Sequence, residues 1–347
     1  MTTELLASVV ITTYNRADAL AVSLDALGRQ TVPATGYEIL VTDDGSTDAT
    51  QAVLELAAKT VPCALRTFRQ TNNAGISAGR NVAMRHARGR YIVMVSDDMI
   101  VPEDFLARHV ETLERFPRHW VVGGFRQLDT LTATPFGRYL DRLERGYDEA
   151  RKARSVAPGV WEMTVPTARN MSLPRCDLER TGLFDEQFRS ACEDQDLAHR
   201  ARDAGIEFLY NDAITCVHND QVADLPRFCH QQRRFGHDGV LFCAKRPEIH
   251  GDFAVLRANR PIAPGDGLAL RAKKAAKGAL ARDAVLERLP GVVAGVERLP
   301  VPDPLLFRLY RAVSALYIMR GVREGLDVVR QREGNEAADR LGRRTRV

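Results

Sequence analysis

The sequence predicts an α/β protein with a mostly parallel sheet, helices on both faces and a helical extension at the C-terminal end. Apolar, β-branched runs alternate with segments of helical period through the first hundred residues, and such alternation requires parallel strands joined by crossover helices. Acidic clusters stand where those runs end, and open α/β sheets bind their ligands at the carboxyl ends of strands. Past Pro261, Pro264, Gly265 and Gly267 the chain becomes Ala- and Arg-rich, with helical segments divided by Pro290, Pro300, Pro302 and Pro304, which marks a linker and a separate helical part.

Element by element, Ser8–Thr13 is a β-branched run suited to a buried strand, and Asp18–Gln30 has apolar residues at helical spacing. Tyr37–Thr42 is a second strand, ended by Asp43-Asp44-Gly45-Ser46, after which Ser46 or Thr47 is expected to cap a helix through about Lys59. A short strand is expected near Ala64–Phe68, a helix over Ala74–Ala87 and a fully apolar strand at Tyr91–Val95, broken by Ser96-Asp97-Asp98. A helix follows Pro102 to about Arg115, then a strand near Trp120–Arg126. Residues 128–165 give weak signals and are expected to include a mobile loop. Order returns with Thr167–Leu173, a helix over Glu193–Ala204, strands at Glu207–Tyr210 and Ala213–His218, and a helix from Leu225 into the Lys245 region.

Composition removes several classes. The 347 residues are 45% hydrophobic and 27% charged, which excludes a disordered, collagen-like or disulfide-scaffold chain. A net charge of +4 argues against a nucleic-acid binder, although residues 268–347 hold 17 basic and 9 acidic side chains. The six cysteines are scattered without metal-type spacing, as suits free thiols in a reducing cytoplasm. No signal peptide and no apolar run of membrane-spanning length is read, so a cytoplasmic location is expected.

Three acidic clusters carry the chemistry. Asp43-Asp44 at a strand end suits a hydrogen bond to a base or ribose, and equally suits a turn with a helix cap. Asp97-Asp98 follows an apolar strand, where adjacent carboxylates need a compensating cation or solvent, and oxygen ligands there suit Mg²⁺ or Mn²⁺. Glu193-Asp194-Gln195-Asp196 opens a helix, a favourable place for acids in any case, and Asp194 and Asp196 cannot face the same way. His218 closes a strand and would add a nitrogen ligand beside the oxygen-rich site.

Taken together these segments resemble family 2 glycosyltransferases of the GT-A fold. The resemblance runs from Ser8 to about Gly239 through Val9–Asn15, Val41–Asp48, Asn73–Asn81, Gly89–Asp98, Arg169-Asn170, Gly182–Glu186, Glu193–Leu197 and Val217-His218. It implies a nucleotide-sugar-binding half over residues 1–100 and an acceptor-binding and catalytic half over 101–250; the basic helical extension over 251–347 lies outside it. It further implies that Thr13 and Tyr14 line the nucleotide pocket, Asp44 bonds the base, Arg80 sits near the donor phosphates or sugar, and Asp97 faces the ribose or the metal's surroundings. Asp98 and His218 would hold the divalent cation, Mn²⁺ or Mg²⁺, and Asp194 would be the general base. The reaction implied is inverting transfer of one sugar from a nucleotide-diphosphate sugar, with UDP or dTDP expected, to a hydroxyl of a glycan, lipid-linked or small-molecule acceptor.

Departures from the family pattern are visible. The metal motif reads Ser-Asp-Asp, and Thr-Ala-Arg stands before Asn170 where small residues are usual. Gln231-Gln-Arg-Arg-Phe235 partly matches the Gln-x-x-Arg-Trp signature of processive synthases, with Phe for Trp; single transfer is therefore expected. The C-terminal segment around Leu305–Val329 is read as covering the catalytic domain, as a homodimer contact or as a peripheral membrane contact. Arg343–Arg346 is read as a disordered tail. A nucleotidyltransferase and a non-catalytic nucleotide-sugar binder are the competing functions, the first disfavoured by the absence of glycine in the Tyr14–Asp18 turn.

Overall fold

A computed structural model describes residues 5–219, 224–249, 253–259, 261–262 and 265–342. Contacts divide the chain into two compact units, one of Met1–Thr132, Leu140–Arg189 and Glu193–Gln221, the other of Ala133–Tyr139, Ser190–Cys192 and Val222–Val347.

The first unit carries the sheet. β1 (Ala7–Thr13), β2 (Tyr37–Asp43), β3 (Ala64–Arg69) and β4 (Tyr91–Val95) alternate with α1 (Ala17–Leu27), α2 (Thr50–Thr60) and α3 (Ile76–His86). These four strands lie parallel in the order β3-β2-β1-β4. The period-2 alternation of a strand splits its apolar residues between the faces. Val9 and Ile11 join Leu20, Leu24 and Phe105 in one core, while Val10 joins Ile92, Met94 and Trp120 in the other. Both faces are thus covered, which is why β4 reads as a continuous apolar run.

Beyond β4 the chain adds β5 (Met99–Ile100), α4 (Phe105–Arg115), β6 (His119–Gln127), β7 (Lys152–Ala157), β8 (Val160–Met163), β9 (Asn170–Pro174) and β10 (Glu207–His218). The sheet continues from β4 as β9-β6-β10-β8-β7, with β5 on β10. β9 enters antiparallel to both β4 and β6, β10 runs parallel to β6, and β5, β7 and β8 pair antiparallel. The predicted α/β architecture is therefore present, with its antiparallel pairings outside the alternating first segment.

Three local expectations change. The weak stretch 128–165 holds a helix, α5 (Pro135–Arg151), and the β7–β8 hairpin. Buried Phe136, Tyr139 and Leu140 give α5 a short apolar stripe, too brief a signal amid charged neighbours. The two strands expected over 207–218 are one, β10, whose register against β6 shifts between Asn211 and Cys216. Neither Ser46 nor Thr47 caps α2. Asp48 does the local work instead, accepting from the Thr50 amide at 3.0 Å, while the Ser46 hydroxyl accepts from the Asn15 amide at 2.9 Å.

The second unit is helical. α6 (Glu193–Asp203) belongs to the sheet-bearing unit, and the helical unit's long members are α7 (Leu225–Lys245), α8 (Leu268–Leu280) and α9 (Asp303–Glu333). α7 begins as expected, with Asp224 accepting from the Arg227 amide at 2.7 Å. α7 and α9 meet backbone to backbone: a Cβ on Gly321 would lie 1.8 Å from the Arg233 carbonyl oxygen, and one on Gly236 would lie 2.3 Å from that of Ile318. Gln231 and Arg234 are exposed, and Phe235 meets Phe253 edge to face. Arg343–Arg346 lie outside the described residues. Among the described residues no helix is long and apolar enough to cross a membrane.

Candidate active site

The parallel register sets Thr13 opposite Asp43 and Val10 opposite Met94, so β1, β2 and β4 end together at one edge. The Asp44 amide donates to the Thr13 carbonyl at 2.9 Å. Thr13 is buried, and its hydroxyl has no partner among the described residues. Tyr14 follows it into solvent, 43% exposed.

Asp44 is buried and well bonded. Its Oδ1 accepts from Gln70 Nε2 and from the Ala74 amide, each at 2.7 Å, and its Oδ2 accepts from the Gly75 amide at 2.9 Å. Burial raises its pKa, against the lowering by those amide bonds and by Arg189. A carboxylate has about four acceptor sites, so three bonds leave about one for a ligand N–H. Gly75 is required at this junction, because its φ is +100° and an added Cβ would lie 2.7 Å from the Arg189 carbonyl oxygen.

Asp98 and His218 meet although 120 residues separate them. The antiparallel β5–β10 pairing sets His218 opposite Met99. Asp98 Oδ2 lies 3.1 Å from His218 Nε2 and 2.8 Å from an Arg16 guanidinium nitrogen, which is also 3.6 Å from Asp97. Burial pushes the Asp98 carboxyl up, but the charges of His218, Arg16 and Arg169 outweigh it and hold it well below the usual carboxylate range. Burial pulls His218 down, and the neighbouring Asp98 charge more than reverses it. Sequence reasoning missed Arg16, a turn residue with no motif signal.

It also missed the surroundings of His218. Gln127, which pairs with His218 across β6 and β10, brings its Nε2 to 3.2 Å from His218 Nδ1 and 2.6 Å from Glu144 Oε2. Phe125 meets the imidazole edge to face, and Arg169 stacks over Phe125 at 4.2 Å. Only the β6–β10 register could have found Gln127.

The Asp98–His218 pair suits a divalent cation on one structural ground. Among the described residues Asp98 Oδ1 is buried without a partner, an orphaned acceptor that a cation satisfies. Among the described residues no group of three or more His, Cys, Asp or Glu forms a complete site. Two protein ligands are nevertheless what Mg²⁺-type sites use when substrate phosphates and waters finish the shell.

Arg80 and Asp194 form a second group with Glu193. Arg80 is buried, donating to Glu193 Oε1 at 2.9 Å and lying 5.2 Å over the Phe184 ring. Glu193 opens α6, and burial together with the Asp194 charge pushes its carboxyl up to about 6 against the pull of Arg80. Asp194 is half-buried, with Oδ1 accepting from the Gln195 amide at 2.9 Å. Asp196 faces inward, fully buried on Arg200 at 3.0 Å. The two acids thus diverge as the helical spacing requires.

Residues 8–155 match the family model described as Glycosyl transferase family 2. The chain is 28% identical over 262 residues to the uncharacterized glycosyltransferase YfnE of Bacillus subtilis (strain 168), covering 63% of this chain and 66% of that one. It is 37% identical over 101 residues to the poly(ribitol-phosphate) beta-glucosyltransferase of Bacillus spizizenii, covering 29% of this chain and 16% of that one. Among solved structures, the mannosyltransferase PcManGT of Pyrobaculum calidifontis, in complex with GDP-Man and Mn²⁺, matches with a TM-score of 0.55 at 20% identity over 94% of this chain and 88% of that one. At that identity the likeness is one of fold. The chain spans 66% and 16% of the lengths of the two curated relatives.

Proposed function

We propose that this chain, whose residues 8–155 match the Glycosyl transferase family 2 model, moves a single sugar from a nucleotide-diphosphate sugar, UDP- or dTDP-linked, to a hydroxyl of a glycan, lipid-linked or small-molecule acceptor. The observation that carries the reading is the buried Asp98–His218 pair, with its orphaned carboxylate oxygen, at the edge where β1, β2 and β4 end.

In this reading Thr13 and Tyr14 border the nucleotide, Asp44 offers its remaining acceptor site to a base N–H, and Asp97 lies beside the ribose. Asp98 and His218 would hold a divalent cation, Mn²⁺ or Mg²⁺, which when bound supplies Lewis-acid stabilisation of the departing diphosphate. Asp194 takes the acceptor proton. As that O–H bond breaks, the acceptor oxygen bonds the anomeric carbon on the face opposite the phosphate, and the carbon–oxygen bond to the diphosphate breaks with its electron pair. Backside attack inverts the anomeric centre. For proton transfer the Asp194 carboxylate has to come within about 2.6–3.2 Å of the hydroxyl in the productive complex.

Turnover of a panel of UDP-, dTDP- and GDP-hexoses tests this, with product configuration read by NMR. Wild type is expected to release nucleoside diphosphate and to invert, and Asp194→Asn to lose roughly 10²–10⁴-fold in kcat with donor binding nearly unchanged. Retention of configuration, or turnover of Asp194→Asn within a few-fold of wild type, overturns the mechanism. The cation assignment is checked separately: Asp98→Asn should abolish Mn²⁺ binding in titration calorimetry as well as turnover. Full activity in excess EDTA counts against it.

A further inference from the structure

Arg80 was expected beside the donor phosphates, yet its surroundings point elsewhere. The side chain is 5% exposed. One guanidinium nitrogen donates to Glu193 Oε1 at 2.9 Å, and the guanidinium lies over the Phe184 ring. An arginine gripped by a carboxylate at one edge and an aromatic face beneath is already committed. Its partner is the first residue of α6 and the immediate neighbour of Asp194. Adjacent carboxylates disfavour each other's charge, and a buried carboxylate without a counter-ion costs more than an intact pair. The charged groups facing Glu193 are Arg80 from α3 and Asp194 from its own helix.

We propose that Arg80 and Glu193 are a positioning pair for Asp194. The pair pins the first turn of α6 to α3, and the Arg80 charge offsets that of Glu193 beside Asp194, the residue that receives the acceptor proton. Arg80 then serves the acceptor side of the reaction and does not bind the donor. The inference rests on Asp194 being the base.

The test compares wild type, Arg80→Met, Glu193→Gln, the double variant and Asp194→Asn. The readouts are kcat and KM for the best-turned-over hexose nucleotide, the pH–rate profile, and calorimetric affinity for the nucleoside diphosphate that most raises the melting temperature. Arg80→Met should lose at least tenfold in kcat, keep nucleotide affinity within about threefold and move the acid limb of its profile to higher pH, because without the Arg80 charge the adjacent Glu193 and Asp194 carboxylates take up their first shared proton at higher pH. The double variant should return the limb, because neither charge of the pair remains, and should lose no more kcat than Arg80→Met alone, because both remove the same anchor. A tenfold loss of nucleotide affinity in Arg80→Met, unrelieved in the double variant, assigns Arg80 to the phosphates and overturns the proposal. So does a double variant whose acid limb stays where Arg80→Met puts it. If Arg80→Met does not fold, Glu193→Gln decides: freed of its partner, Arg80 should move the acid limb to lower pH, and an unmoved limb is a refutation. Full turnover by Asp194→Asn would instead sink the base assignment itself, whatever Arg80→Met does.

Discussion

His109 shows how one buried side chain holds the site's framework. It lies between Ser172 Oγ at 2.8 Å from Nδ1 and Asn170 Oδ1 at 2.9 Å from Nε2. Asn170 in turn donates Nδ2 to the carbonyls of Gly124 and Ile214, tying β9 to β6 and β10 beside the strand that ends in His218. The hydrogen-bond network assigns the neutral ring, Nε2–H to Asn170 and Nδ1 accepting from Ser172. Burial pushes the His109 pKa down to about 4. A histidine lowered on folding contributes stability that is fully present above its unfolded pKa of about 6.5 and is lost as pH falls toward 4. That window is worth about 3 kcal/mol. Urea melts at pH 7.5 and pH 4.5 should show the dependence shrink by that order in His109→Gln. An unchanged difference between the two pH values assigns the effect to other groups.

At the scale of elements, α3 is seated by a glycine that no composition count explains. A Cβ on Gly79 would lie 2.3 Å from Thr12 Cγ2 on β1, and threonine is stiff about χ1. Gly79→Ala sets overpacking of about 1–3 kcal/mol against a helix-propensity gain of about 1 kcal/mol, so a net loss is expected. Among the described residues a Cβ on Gly146, inside α5, would meet nothing within 4 Å, and Gly146→Ala should gain about 0.5–1 kcal/mol. Thermal melts of the two variants should move in opposite directions, and movement in the same direction refutes the packing argument. β4 was legible because a strand covered on both faces is written as an unbroken apolar run, and β1 and β2 because their β-branched runs are interrupted only by Ser8 and Glu38 before they end in polar residues. α5 was not, since its stripe is confined to Phe136, Tyr139 and Leu140 before charged residues take over.

Across the whole molecule, legibility followed the distance over which a signal acts. The closeness of Asp98 to His218 is what the family resemblance implies, and the β5–β10 pairing supplies its structural cause by setting His218 opposite Met99. Arg16, Gln127 and Glu144 carry no motif, and only folded register brings Gln127 to the imidazole. The Asp43-Asp44 corner speaks for an acid that bonds a base or for a turn, and it is silent on the three bonds by which Asp44 holds Gln70, Ala74 and Gly75. Arg80 was read by its position after a glycine segment, a reading blind to the carboxylate 113 residues later.

The glycine contacts between α7 and α9 have a mechanical consequence. Where two helices touch without intervening side chains, neither can roll about its own axis without driving a carbonyl into its neighbour. The bearing of Gln231 and Arg234 is therefore set by Gly321 and Gly236 on the inner side of that crossing, and whatever those two polar heads greet in solvent, they greet from a fixed compass point.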